Sequence, residues 1–349
     1  MKFDLFKLFC TYEKLFKMIY YFFLPKQDLP PFKNLPTWKD IGKYPNLFLS
    51  PALNWTWRTY YHLLQSGFPC KLVDFLPLEG IIFSASCNLP ILFKPNAKQF
   101  IISCVADSPP LFFAQCQVFQ SASQAALWQS NYIFPHVTFS PHWPQPGLLK
   151  RSLERGNSFI NLSYFGASNQ LDLSLQTRDT INKFKKIGVT LNYNFQNYYD
   201  YSNTDCVFAI RKFNQNIVLH KPASKLINSW LAGVPAILGK ESAYQELRTS
   251  KFDYIEVDSI NEMINATIEL KNDKLLRDAM FQNSIEKSEE FTIESLTSRW
   301  ASFLFDEIPA LYDSWRSLSW IARSHFYNKQ FTKRANISLK HKVKHLKYF

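Results

Sequence analysis

The sequence predicts an α/β protein of two lobes, each built on a parallel sheet, and three observations predict it. Its 349 residues exceed the size at which a single core usually stops growing. A hydrophobic fraction of 46% with 19% charged residues excludes wholesale disorder. Apolar strand-like runs alternate with helical patterns on both sides of a Pro-rich break at 141–147.

The chain opens with Leu5, Leu8, Phe9, Tyr12, Leu15, Phe16 and Ile19 at helical spacing, with Asp4, Lys7, Thr11 and Lys14 opposite. This amphipathic helix either docks on the protein body or makes peripheral contact with an anionic membrane, which Lys2, Lys7, Lys14 and Lys17 favour. The basic tail 329–347 adds to that attraction or is a solvated terminus. A Pro-rich linker covers 25–36. In the first lobe the pattern predicts a helix over 55–65, stopped by Gly67, and strands over 71–75, 80–85, 100–106, 115–120 and 132–137. Three prolines and a glycine within 141–147 admit neither helix nor interior strand, so this segment reads as the hinge. Beyond it come strand 159–165, helix 171–187, strands 189–193 and 206–211, helix 223–232, strand 234–238, helix 243–248, strand 254–257 and long helices from 260. That βαβ series predicts a doubly wound second lobe. The expected domains are 1–35 (helix and linker), 36–145 (first lobe), 146–290 (second lobe) and 291–349 (C-terminal helices and tail).

A net charge of +12 attracts phosphates, whether on nucleic acid, anionic lipid or a nucleotide. No basic-aromatic RNA motif, zinc-finger spacing or helix-turn-helix pattern occurs, so no nucleic-acid partner is expected. The six cysteines form no C-x-x-C pair and suggest neither zinc site nor disulfide framework. With no apolar run of ~18 residues and no cleavage site after the first apolar stretch, a cytoplasmic protein is expected, at most at the inner face of the membrane.

In a doubly wound sheet, ligands bind outside the carboxyl ends of the strands, where helix N-termini also point. Strand 206–210 is followed by Arg211 and a nine-residue stretch ending at His220, longer than the ~2–6 residues usual for a βα connection. The next helix opens with Lys221-Pro222 and stops at Gly233. Leu226, Ile227, Trp230 and Leu231 form its core stripe, while Lys221, Lys225 and Asn228 share another face. Two ammonium groups, a guanidinium and unpaired N–H groups suit a pyrophosphate without a metal; the alternative is that both lysines are solvated.

Glu241, on the same rim before an expected Ser242/Gln245 capping box, either accepts from sugar hydroxyls and stabilises anomeric charge or complements the helix dipole. Tyr244 and Glu246 are weaker donor-side candidates, and Tyr244 alternatively packs. Gly166, after the first strand of this lobe, either lets the backbone approach a ligand or serves a turn. His142 and, in the first lobe, Asp107 are the candidate bases; His142 is alternatively structural. The stretch from Gly233 to Lys240 is not a phosphate loop, because five residues separate its glycines and Glu241 stands where Ser or Thr is required. No Asp-x-Asp pair occurs to bind a donor through a divalent metal.

The run from His220-Lys221-Pro222-Ala223-Ser224-Lys225-Leu226 through Ala232-Gly233-Val234-Pro235-Ala236-Ile237-Leu238-Gly239, continuing to Arg248, resembles the donor-binding core of GT-B glycosyltransferases, especially bacterial and cyanobacterial-type ones. The hinge His142-Trp143-Pro144-Gln145-Pro146-Gly147 is similar to theirs. The resemblance implies two Rossmann-like domains facing each other across a cleft and a nucleotide-diphosphate sugar in the second. It implies a glycan or lipid-linked acceptor on the first, no cofactor and no obligatory metal. By resemblance Arg211 and Lys225 hold the diphosphate. From their placement Lys221 helps to neutralise it, Glu241 and Asn228 contact donor hydroxyls, and Gly166, Tyr244 and Glu246 complete the donor side; surface polysaccharide synthesis is the expected setting. Two departures stand out. Ser224 occupies the place where related fucosyltransferases carry Glu, and His220 and Asn228 stand where retaining enzymes have two glutamates. The second departure leaves stereochemistry open and admits a noncatalytic nucleotide-sugar or polyphosphate-binding module as the alternative.

Overall fold

The computed structural model describes residues 18–32, 34–90, 93–106, 108–131, 136–213 and 221–332. The amphipathic segment 1–17, Asp107 and the tail 333–349 lie outside the described residues. Two compact units form. Of the described residues, one takes 18–30, Ser50–Ser140 and 297–332; the other takes Pro31–Leu49 and Pro141–Leu296.

The first unit carries a six-stranded, all-parallel sheet of β1 (Tyr20–Phe23), β2 (Cys70–Val73), β3 (Gly80–Ala85), β4 (Gln99–Cys104), β5 (Cys116–Phe119) and β6 (His136–Phe139), in the order β2-β1-β3-β4-β5-β6. Every residue of β3 and β4 is buried, as expected for strands covered on both faces. β1 is absent from the sequence-based expectation, which passes from the helical pattern into the Pro-rich linker. Four aromatic residues in a row have no periodicity, and long-range pairing with β2 and β3 makes them a strand. Helix Arg58–Gln65 continues from a wider-wound turn, Ala52–Trp57, and helix Ala122–Asn131 joins β5 to β6. The chain from Thr297 belongs to this unit because its large side chains pack there. The Tyr20 hydroxyl donates to the Leu304 carbonyl at 2.8 Å, the Tyr312 hydroxyl to that of Lys98 at 2.8 Å, and Trp300 meets Phe83 edge-on at 5.3 Å.

The second unit carries β7 (Asn161–Phe165), β8 (Thr190–Asn194), β9 (Cys206–Ala209), β10 (Ala236–Leu238) and β11 (Ile255–Glu256), all parallel in the order β11-β10-β9-β7-β8. Both sheets therefore have a doubly wound order that reverses beside their first strand, at β1/β3 and at β7/β9. The expected helix 171–187 divides into a 3-10 turn, Leu173–Gln176, and helix Arg178–Lys186. Asp172 caps the first and the Thr177 hydroxyl, accepting from the Thr180 N–H, starts the second. The short helix Trp38–Gly42 belongs here as well. It approaches the Pro-rich segment so closely that a Cβ on Gly147, at φ +69°, would lie 2.5 Å from the Gly42 carbonyl oxygen.

Candidate functional site

Strand register levels the carboxyl ends of the second sheet. Leu162 and Ser163 of β7 lie opposite Cys206 and Val207 of β9, and Ala209 lies opposite Leu238 of β10. The residues following these strands, Gly166, Arg211 and Glu241, therefore meet on one rim at the β7/β9 reversal, where doubly wound sheets bind ligands.

Gly166 has φ +154°. A Cβ there would lie 2.7 Å from the Tyr164 hydroxyl oxygen and 3.1 Å from Lys225 Cε, so the missing side chain is the space through which Lys225 crosses the loop. Lys225, on helix Ser224–Ala232, places Nζ 5.6 Å from the Tyr164 ring centroid in a cation–π contact. Tyr164 is fully buried and its hydroxyl donates to the Ala167 carbonyl at 2.9 Å, while burial raises its pKa well above the usual value.

Arg211 spans the rim. Its Nε lies 2.9 Å from Glu241 Oε1, and its Nη1 donates to the Gln170 side-chain carbonyl in the loop after β7. The 2.9 Å approach is an ion pair rather than an aligned hydrogen bond, since Nε meets no strict hydrogen-bond geometry. Burial opposes the Arg211 charge most strongly, but Glu241, with smaller contributions from Tyr244 and Tyr164, holds the pKa above the ordinary value. The guanidinium has five N–H donors, so several remain for a phosphate oxygen.

Glu241 is 2% exposed and stands at the N-cap of helix Ser242–Leu247 with extended backbone. Its carbonyl accepts from the Tyr244 and Gln245 N–H groups, but its side chain makes no cap and turns to Arg211 instead. The expected capping box is thus a misreading: Gln245 donates to Glu256 at 2.9 Å, a partner the sequence pattern does not reveal. Among the described residues, Glu241 Oε2 and the hydroxyl of the fully buried Tyr244 have no hydrogen-bond partner. Burial first, and then the Glu241 charge, push the Tyr244 pKa far up, so this hydroxyl is a permanent donor.

The remaining candidates lie in the same unit with other partners. Lys221 and Glu246 are half-buried. Asn228 accepts from the Gln145 N–H at 3.2 Å through Oδ1 and is bonded to the Tyr201 hydroxyl, tying helix Ser224–Ala232 to the Pro-rich segment. His142 Nδ1 lies 2.9 Å from the Trp143 carbonyl oxygen, which can only accept, so Nδ1 is the donor in that contact. Tyr164 and Gln170 were not anticipated, although Tyr164 lies in the strand that leads to Gly166 and Gln170 in the loop after it.

No protein-family model matches the chain, and no curated protein sequence is similar to it. Among solved structures, S. aureus TarM superposes over 72% of this chain and 58% of its own length, with a TM-score of 0.50 at 9% identity. The fold is of the GT-B glycosyltransferase type. Two further GT-B structures align at lower scores. The pneumococcal O-GlcNAc transferase GtfA gives 0.48 at 10% identity, over 76% of this chain and 60% of GtfA. Anabaena HepE gives 0.46 at 12% identity, over 82% of this chain and 99% of HepE. The chain thus spans less than two thirds of TarM and GtfA. No described helix is long and apolar enough to cross a membrane.

Proposed function

We propose that this protein is a glycosyltransferase that moves a sugar from a nucleotide-diphosphate donor to a glycan or lipid-linked acceptor in surface polysaccharide synthesis. One observation carries the proposal: Lys225 and Arg211, from different segments, flank Gly166 and Tyr164 at the reversal point of the second sheet. A diphosphate placed there meets an ammonium group, the unengaged guanidinium donors and the N-terminal end of helix Ser224–Ala232, so its charge is neutralised without an obligatory metal. Lys221 adds a second cation from the same helix entrance.

Charge grows on the diphosphate as the glycosidic bond breaks, so groups already fixed in place stabilise the transition state more than the ground state. Glu241 fixes the Arg211 fork. Glu241 is also assigned to donor hydroxyls in this proposal, with Tyr244 and Glu246 on the helix it begins. His142 is the base if the reaction inverts, and Asp107 is the other candidate.

The test is a screen of UDP-, GDP- and CDP-sugars for nucleotide release, with and without glycan and lipid acceptors. Release from one donor, accelerated by an acceptor, supports transfer. Saturable nucleotide binding without release from any donor contradicts catalysis and leaves a binding module.

A further inference from the structure

In the first unit, helix Ile308–Ser317 ends at Leu318, whose backbone is extended, and the chain turns into a further helix over 320–332. The Ser319 hydroxyl starts that helix by accepting from the Ala322 N–H at 3.2 Å, and Arg323 Nη1 closes the corner by donating to the Leu318 carbonyl. One face of the new helix is fixed inward. Phe326 meets Trp315 edge-on at 5.5 Å, the Tyr327 hydroxyl donates to the Pro95 carbonyl at 3.0 Å, and Gln330 is buried.

The other face carries large apolar side chains into solvent: Trp320 is 75% exposed, Ile321 71% and Phe331 66%. Trp320 and Phe331 are about three turns apart and share one stripe, with Ile321 beside it. Charge decides what such a face meets. Residues 314–349 contain nine lysines and arginines and no aspartate or glutamate, so they carry nine of the chain's net +12 charges. Arg316 and Lys329, both exposed, bring that charge beside the apolar stripe. Apolar anchors with unneutralised basic residues around them match the acyl boundary and the phosphates of an anionic bilayer. An RNA would use the charge and stack on the aromatic rings, but would gain little from Ile321.

We infer that this face docks on an anionic membrane, Trp320, Ile321 and Phe331 entering the headgroup–acyl boundary while the basic charge of 314–349 meets lipid phosphates. It is distinct from the amphipathic pattern at 5–19 and does not need the diphosphate site to be right.

The test is co-sedimentation of the full-length protein with vesicles of phosphatidylcholine alone and of phosphatidylcholine with phosphatidylglycerol. Binding to the anionic vesicles is expected, weakening as salt rises. It should fall at least about tenfold in Trp320→Ser/Ile321→Ser, because burying one such side chain already contributes roughly that factor. Leu275→Ser, at a leucine of the second unit that is 80% exposed, should bind like the parent. In the parent, hydrogen exchange over 320–332 should slow when anionic vesicles are added, a readout that needs no variant. No binding to anionic vesicles, whether or not the face instead joins two copies or holds an RNA, would overturn the inference. So would equal binding to neutral vesicles, an equal loss in Leu275→Ser, or a double variant that binds like the parent, the result if 5–19 alone makes the attachment.

Discussion

Replacing Arg211 with Ala removes the counter-charge of a carboxylate whose side chain is 3% exposed. At 2.9 Å the two charges attract with about 6 kcal/mol at an effective dielectric constant of ~20, before the opposing cost of taking both out of water. Deleting one partner of such a pair exposes that desolvation cost, which is about 3–5 kcal/mol. For a unit of this size each kcal/mol lowers the melting temperature by roughly 2–4 °C, so Arg211→Ala should melt about 6–20 °C lower. Arg211→Met/Glu241→Gln removes both charges and should regain at least about 2 kcal/mol of that loss. Scanning calorimetry gives the temperatures, and hydrogen exchange over 224–247 assigns the transition to the second unit, since two compact units need not unfold together. A single variant within about 1 kcal/mol of the parent, or a double variant no better than the single, would refute the pairing as what holds Glu241 in place.

Three further predictions concern other parts of the fold. Gly166→Ala, with its Cβ 2.7 Å from the Tyr164 hydroxyl at φ +154°, should cost about 1–3 kcal/mol and weaken binding of whichever of UDP, GDP and CDP the parent binds, by displacing Lys225; unchanged melting and affinity would contradict the crossing. The Asp205 side chain is fully buried and accepts from Arg151, Arg155 and the Ile160 and Asn161 N–H groups. Asp205→Ala should therefore destabilise the second unit by about 3–5 kcal/mol in urea titration, and a loss under about 1 kcal/mol would argue against this network. His62 is 5% exposed, and burial followed by the Arg58 charge holds its pKa down at about 3, so it folds neutral. The unfolded chain binds that proton near about pH 6.5, so the contribution is full above 6.5 and is lost as pH falls towards 3, by about 2 kcal/mol between pH 6.5 and 5. His62→Gln should flatten this part of the pH–stability curve, and a slope matching the parent would count against the assignment.

Sequence alone revealed the second sheet well, because β7, β9 and β10 are apolar runs that each end at a polar or glycine residue. Their ends are where Gly166, Arg211 and Glu241 were sought, and parallel register brings the three to one rim. What escaped depends on partners distant in sequence. β1 is a strand only through β2 and β3, some fifty residues on. Trp300 belongs with Phe83, across more than two hundred residues, so the C-terminal chain could not be assigned to the first sheet by periodicity. The Arg211–Glu241 pair was likewise invisible. Each residue looked like a ligand-binding group by itself, whereas across the rim the two satisfy each other first.

Calorimetric titration of the full chain and of Lys225→Ala with UDP, GDP and CDP tests the diphosphate site most directly. One nucleotide should bind the parent saturably and bind Lys225→Ala roughly ten- to a hundred-fold more weakly, the loss of one charge-assisted contact. Equal affinity in the two proteins, or binding of none of the three, would contradict a diphosphate seat at the β7/β9 reversal.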